Sequence, residues 1–121
     1  MSTIIAANIS DGTTSVASTY VVNGSAKAWV NFNGTGTVAI RDSLNVSTIT
    51  DNGTGNYTVN FTNAMADANY CANITYAISA GSNLQLRYIT RGTTSEQRFF
   101  VSVDASATGA DTDENNVSIF R

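Results

Sequence analysis

The sequence predicts an all-β fold, an antiparallel β-sandwich of jelly-roll type. Side chains alternate between apolar and polar with a period of two in segment after segment, and Asn, Asp and Gly clusters separate those segments at regular intervals. No segment keeps a helical period over ten or more residues. Period-two alternation is the mark of a strand with one buried face, and many short strands between turn signals indicate a sandwich or barrel.

The elements follow in chain order. Residues 2–9 are a short apolar stretch ending at the turn signal Asp11-Gly12, and residues 14–22 are rich in Ser and Thr before Asn23-Gly24. Residues 1–24 therefore read either as an arm that docks on a neighbour or as the first two strands, ahead of a β-domain over 25–121. The organising stretch is 26–70. It opens with Ala26, Ala28, Val30 and Phe32 on one face and Lys27, Trp29 and Asn31 on the other. Asn33-Gly34 and Gly36 tolerate the positive φ of a tight connection. Strands are then expected over 37–41, 43–49 and 56–62, the last with Tyr57, Val59 and Phe61 on its apolar face. Residues 63–68 break the alternation and suit a helical turn. Further strands are expected over 69–79, with Tyr70, Ala72, Ile74, Tyr76 and Ile78 on one face, and over 84–90. In 97–104, Phe99, Val101 and Val103 alternate with Phe100 and Ser102. Residues 105–115 read as a small, solvated acidic loop, and 116–121 as a closing strand with Val117 and Ile119 inward.

Composition narrows the function classes. With 121 residues the chain is one domain with room for a real core. Hydrophobic residues make up 42% and charged residues only 12%, about half the usual share, the balance being Ser, Thr, Asn and Gly. A neutral polar surface of this kind suits faces that become buried in an assembly, and the absence of proline removes one device that blunts sheet edges. The net charge is −3 and the six basic residues form no cluster, which disfavours nucleic-acid binding. No apolar run is long enough to cross a bilayer, and the N-terminus lacks the basic and apolar regions of a signal peptide, so the product is expected to be made in a cytoplasm.

No cofactor or metal is expected. The chain has no histidine and a single cysteine, Cys71, which removes Ser-His-Asp, Cys-His and His/Cys zinc arrangements. The aspartates mostly sit at strand ends, where turn chemistry explains them, so the chain is not expected to be an enzyme. Asp111, Asp113 and Glu114 lack the spacing and internal glycine of an EF-hand loop. Repeated Asn-x-Ser/Thr triplets follow from the composition. Trp29, opposite Val30 and Phe32, is an anchor in the core or a subunit interface, or an exposed contact for a protein or a sugar.

The block 27–43, KAWVNFNGTGTVAIRDS, followed by 50–61, TDNGTGNYTVNF, resembles a module of tail-fibre-like virion proteins from marine bacteriophages, and the lead-in residues 3–15 are similar too. The resemblance spans about a third of the chain and fades after Cys71. It implies a structural protein of the virion surface, made in the host cytoplasm, assembled as a homotrimer and joined to other virion proteins. A short tail fibre or appendage would touch a host surface glycan or protein through loops of the half where the resemblance fades, at Ser82, Asn83, Arg91, Thr93, Thr94, Glu96, Asp111 and Asp113. Ile4, Ile5, Ile9 and Val16 are the virion-docking candidates. Because fibres usually carry a separate anchoring domain and this chain is short, a capsid decoration protein is the alternative.

Overall fold

The computed structural model of the chain describes residues 1–77, 83–90, 92–103 and 108–121. Strands account for 54% of the chain and helix for 6%, so the class is all-β. The chain begins with a hairpin, β1 (Asn8–Ser10) and β2 (Ser15–Ala17), followed by the helix α1 (Ser18–Gly24). Among the described residues eight longer strands follow: β3 (Ala26–Asn33), β4 (Ala39–Leu44), β5 (Val46–Asp51), β6 (Asn56–Phe61), β7 (Cys71–Ala77), β8 (Leu84–Ile89), β9 (Glu96–Val103) and β10 (Glu114–Phe120). They form two four-stranded sheets ordered β4-β3-β10-β7 and β5-β6-β9-β8, with every neighbouring pair antiparallel.

The central strands supply the core between the sheets. Ala28, Val30 and Phe32 of β3 and Val117 and Ile119 of β10 face Tyr57, Val59 and Phe61 of β6 and Phe99 and Val101 of β9. Phe32, Tyr57 and Phe99 are fully buried, with ring centroids 5.3, 5.6 and 6.2 Å apart in edge and tilted arrangements. Such geometry aims positive ring edges at negative ring faces and adds to simple area burial. The alternation from Ala26 to Phe32 is thus realised as the sequence predicts; in β6, Tyr57, Val59 and Phe61 join the core as predicted, but Thr58, expected on the polar face, is buried as well.

The passage between the sheets departs from that prediction. The sequence suggests a strand over 43–49, but β4 runs to Leu44, β5 begins at Val46, and Asn45 alone changes sheet. Asn45 adopts φ of 55°, a left-handed conformation that asparagine tolerates better than most side chains. Its side chain donates to the Lys27 and Asn63 carbonyl oxygens at 3.1 and 3.0 Å, and its Oδ1 accepts from the Asn63 N–H at 2.7 Å.

Residues 63–68 form bends rather than a helical turn. Met65 is drawn into the core while its N–H donates to the Thr94 carbonyl at 2.7 Å, and Asp67 pairs with Arg121. Tertiary partners take the backbone groups that a helix would have used. The one helix among the described residues falls where no helical period was legible. Seven residues are too few to display one, and Tyr20, Val21 and Val22 are weak helix formers. Its last turn is held by Ser25, whose N–H donates to the Val21 carbonyl at 3.1 Å, and by Lys27, whose ammonium reaches back to the Val22 and Ser25 carbonyls. A cation at a helix C-terminus meets the negative end of the helix dipole.

Candidate functional site

The strand directions give the two-sheet body two distinct ends. At one, the chain arrives through α1 into Ala26, Asn45 changes sheet, residues 62–70 cross over, and residues 92–95 turn into β9. Hydrogen bonds tie this arm end together. The Phe61 N–H donates to the Ser95 carbonyl at 2.9 Å, and the Tyr70 hydroxyl approaches the Thr93 and Glu96 carbonyls at 3.1 and 2.9 Å. At the opposite, loop end lie the β3–β4 and β5–β6 connections and residues 108–113.

The loop end is built around Tyr57. Its hydroxyl reaches the Gly34 carbonyl at 3.0 Å and Asp111 Oδ1 at 2.9 Å, while the Gly55 N–H donates to the same Asp111 oxygen at 2.8 Å. Burial, and then the Asp111 carboxylate, push the Tyr57 phenol far above its ordinary range, so it remains a proton donor. Thr112 and Asn115 are fully buried, bonded to each other at 2.5 Å through their side chains, and the Gly34 N–H donates to the Thr112 carbonyl at 2.9 Å. Residues 108–115 of the segment expected to be a solvated acidic loop instead close this end. Their acidic composition hides partners 54 and 56 residues away, which no local pattern displays.

The candidate contact residues divide between the two ends. Thr93, Thr94 and Glu96 lie at the arm end, exposed. Asn83, exposed beside Leu84, and the half-buried Asp111 and Asp113 lie at the loop end. Ser82 and Arg91 fall outside the described residues. The fold therefore does not gather the six described candidates into one surface. Asp111 is bound inward to Tyr57 and Gly55, and the Asp113 carbonyl accepts from Arg41 at 2.5 Å.

The docking candidates are brought closer together. Ile9 and Val16 are cross-strand partners in the β1–β2 hairpin, 48% and 39% exposed, and Ile4 and Ile5 just before it are each 94% exposed. Of the ten exposed large hydrophobics among the described residues, eight lie within residues 1–22; the other two, Ile40 and Leu44, are on the edge strand β4.

Trp29 stands on the outer face of the β4-β3-β10-β7 sheet, half-buried and outside the core cluster. Core burial, one of the roles expected of it, is not what the fold gives, because the pleat that turns Ala28 and Val30 inward turns Trp29 out. It borders a shallow depression of about 260 Å³ shared with β10 and β7. Sequence reasoning put Asn31 on this same polar face but had no means of adding Asn73, Thr75, Asn116 and Ser118, which arrive from strands far along the chain.

Among the described residues no group of three or more His, Cys, Asp or Glu is arranged to hold a metal. No protein-family model, curated protein or solved structure matches the chain.

Proposed function

We propose that the protein is a virion structural protein of the short tail-fibre or appendage type, displayed on a phage particle and contacting the host cell surface. Its two packed sheets then make a β-sandwich of jelly-roll type that assembles as a homotrimer. The observation that carries this reading is the molecule's two-ended construction. Apolar side chains are left uncovered on residues 1–22, which lead into the arm end, whereas polar loops locked by the Tyr57 cluster close the other end. An uncovered apolar segment rimmed by polar residues marks a surface that another protein covers. The resemblance of residues 27–61 to fibre modules supports the same reading.

Labelling purified particles with an antibody against the chain tests it. Label on tail appendages, together with binding of the isolated chain to intact host cells, is the expected result. Label confined to the head, or no cell binding, overturns it. A second reading, a capsid decoration protein, is favoured by the same exposed segment, which would dock on the shell. It predicts binding to emptied capsids and a gain in their resistance to heat.

A further inference from the structure

The outer face of the β4-β3-β10-β7 sheet carries an unusual juxtaposition. Register places Trp29 opposite Ser118 on β10, and Ser118 opposite Asn73 on β7. The neighbouring row holds Asn31 opposite Asn116, and Asn116 opposite Thr75. Strands stand about 4.8 Å apart, so the other five side chains form a compact floor beside the Trp29 indole. They line the depression of about 260 Å³, below the roughly 300 Å³ at which pockets for drug-sized ligands begin, so it suits a single ring.

The amides are oriented. Arg41 Nη1 donates to Asn31 Oδ1 at 3.3 Å, Asn31 Nδ2 to Asn116 Oδ1 at 2.6 Å, and Asn116 Nδ2 to Glu114 Oε1 at 3.2 Å. A guanidinium at one end and a carboxylate at the other fix which way each amide points. Each amide keeps one N–H and one acceptor lone pair for a ligand. The Thr75 and Ser118 hydroxyls and Asn73 Oδ1 have no hydrogen-bond partner among the described residues.

The lining is also uncharged. Lys27, on the same face, spends its ammonium on the Val22 and Ser25 carbonyls, and Arg41 is engaged by Asn31 and the Asp113 carbonyl. An anionic ligand finds no free cation in this lining, and a quaternary ammonium would want an aromatic cage or a carboxylate within it, whereas Glu114 lies outside the lining and accepts from Asn116. A peptide strand would add at the open edges β4 and β7 rather than over the depression, whose central strands β3 and β10 are each paired on both sides. The complement of one indole face ringed by neutral donors and acceptors is a neutral ring with an apolar C–H face and hydroxyls around it.

We infer that this depression is a saccharide-binding site, with one pyranose stacked on Trp29 and its hydroxyls bridging the Asn31–Asn116 pair and the Ser118 and Thr75 hydroxyls. The inference deepens the surface-contact reading and rests on it only for the site's purpose. Binding is measured on the isolated chain, so a particle location that overturns the proposed function leaves the site standing, and absence of binding leaves the location standing.

Trp29 is the only tryptophan in the chain, so its fluorescence reports on this depression alone. The full chain is titrated with glucose, galactose, mannose, N-acetylglucosamine and short oligosaccharides of each, and binding is read in parallel by calorimetry. At least one neutral sugar should produce a saturable emission change in the millimolar range or tighter. Trp29→Ala should abolish the calorimetric signal and Trp29→Phe should keep part of it. Asn31→Ala and Asn116→Ala should each weaken binding about tenfold. Ser118→Tyr, which fills the depression without removing any core side chain, should block binding in a chain whose circular dichroism is unchanged. Silence from every sugar in both readouts overturns the proposal. So does binding that survives both Trp29→Ala and Ser118→Tyr, or a preference for glucuronate and sugar phosphates over neutral sugars.

Discussion

The β1–β2 hairpin and β3 obey the same local rule and meet different fates. Both are extended segments whose side chains alternate between two faces, yet Ile9 and Val16 stay exposed on the hairpin while Val30 and Phe32 are buried. The difference is the partner. β3 pairs on both sides and faces a second sheet across the aromatic cluster, whereas the hairpin has only its own two strands. Alternation forms a strand; a facing sheet turns it into a core. A two-stranded ribbon on its own is marginal in water, so in the proposed assembly residues 1–24 are the segment that a partner would stabilise most.

The contrast is broken most severely from the body's side. Phe99→Ala removes a fully buried ring that touches both Phe32 and Tyr57, and should cost about 3–5 kcal/mol of unfolding free energy in chemical denaturation. A loss near zero would mean that the facing sheets are not what holds the body together.

Tyr57→Phe comes next. It leaves the Gly34 carbonyl and Asp111 without the phenol, at a cost of about 1–3 kcal/mol. The phenol is held above its ordinary value in the fold, so its contribution is complete below about pH 10 and is lost as the pH rises through the higher folded value. The substitution should therefore flatten the alkaline limb of the stability profile, which a series of melts above neutral pH reads directly. Tyr70, raised by burial and then by Glu96, adds a smaller part to that limb and remains in the variant.

How much of this was legible in the sequence depends on range. β3, β6, β9 and β10 could be read because their alternation is local and each has one face in the core. The inward face of β9 even includes Gln97, buried with its amide donating to the Thr90 and Arg98 carbonyls at 2.7 and 2.9 Å. Asn45 could not be read as a change of sheet, because Leu44 and Val46 on either side continue a strand-like pattern. The Tyr57–Asp111 cluster and the depression beside Trp29 could not be read either. Each joins side chains from strands that pairing, not sequence proximity, brings together.

A smaller effect is expected at Ser102, whose side chain is fully buried with a hydroxyl lacking a hydrogen-bond partner among the described residues. Ser102→Ala should be neutral or stabilise by up to about 1 kcal/mol, since it removes an unsatisfied polar group. Destabilisation beyond that would point to a partner for the hydroxyl. Smallest of all, on the fold, is the pair Ile4→Ser and Ile5→Ser. Both side chains are almost fully exposed, so stability should change by no more than about 0.5 kcal/mol. Self-association by sedimentation should nevertheless fall, and unchanged association would move the interface elsewhere.

The division between a self-sufficient body and a segment awaiting its partner is tested most directly by deleting residues 1–24 and following thermal unfolding as a function of protein concentration. For the whole chain, the midpoint should rise with concentration, because association stabilises the folded state by mass action. Residues 25–121 alone should melt cooperatively at one midpoint, independent of concentration and matching the dilute whole chain. A truncated chain that fails to fold, or one whose midpoint still climbs with concentration, would contradict the account.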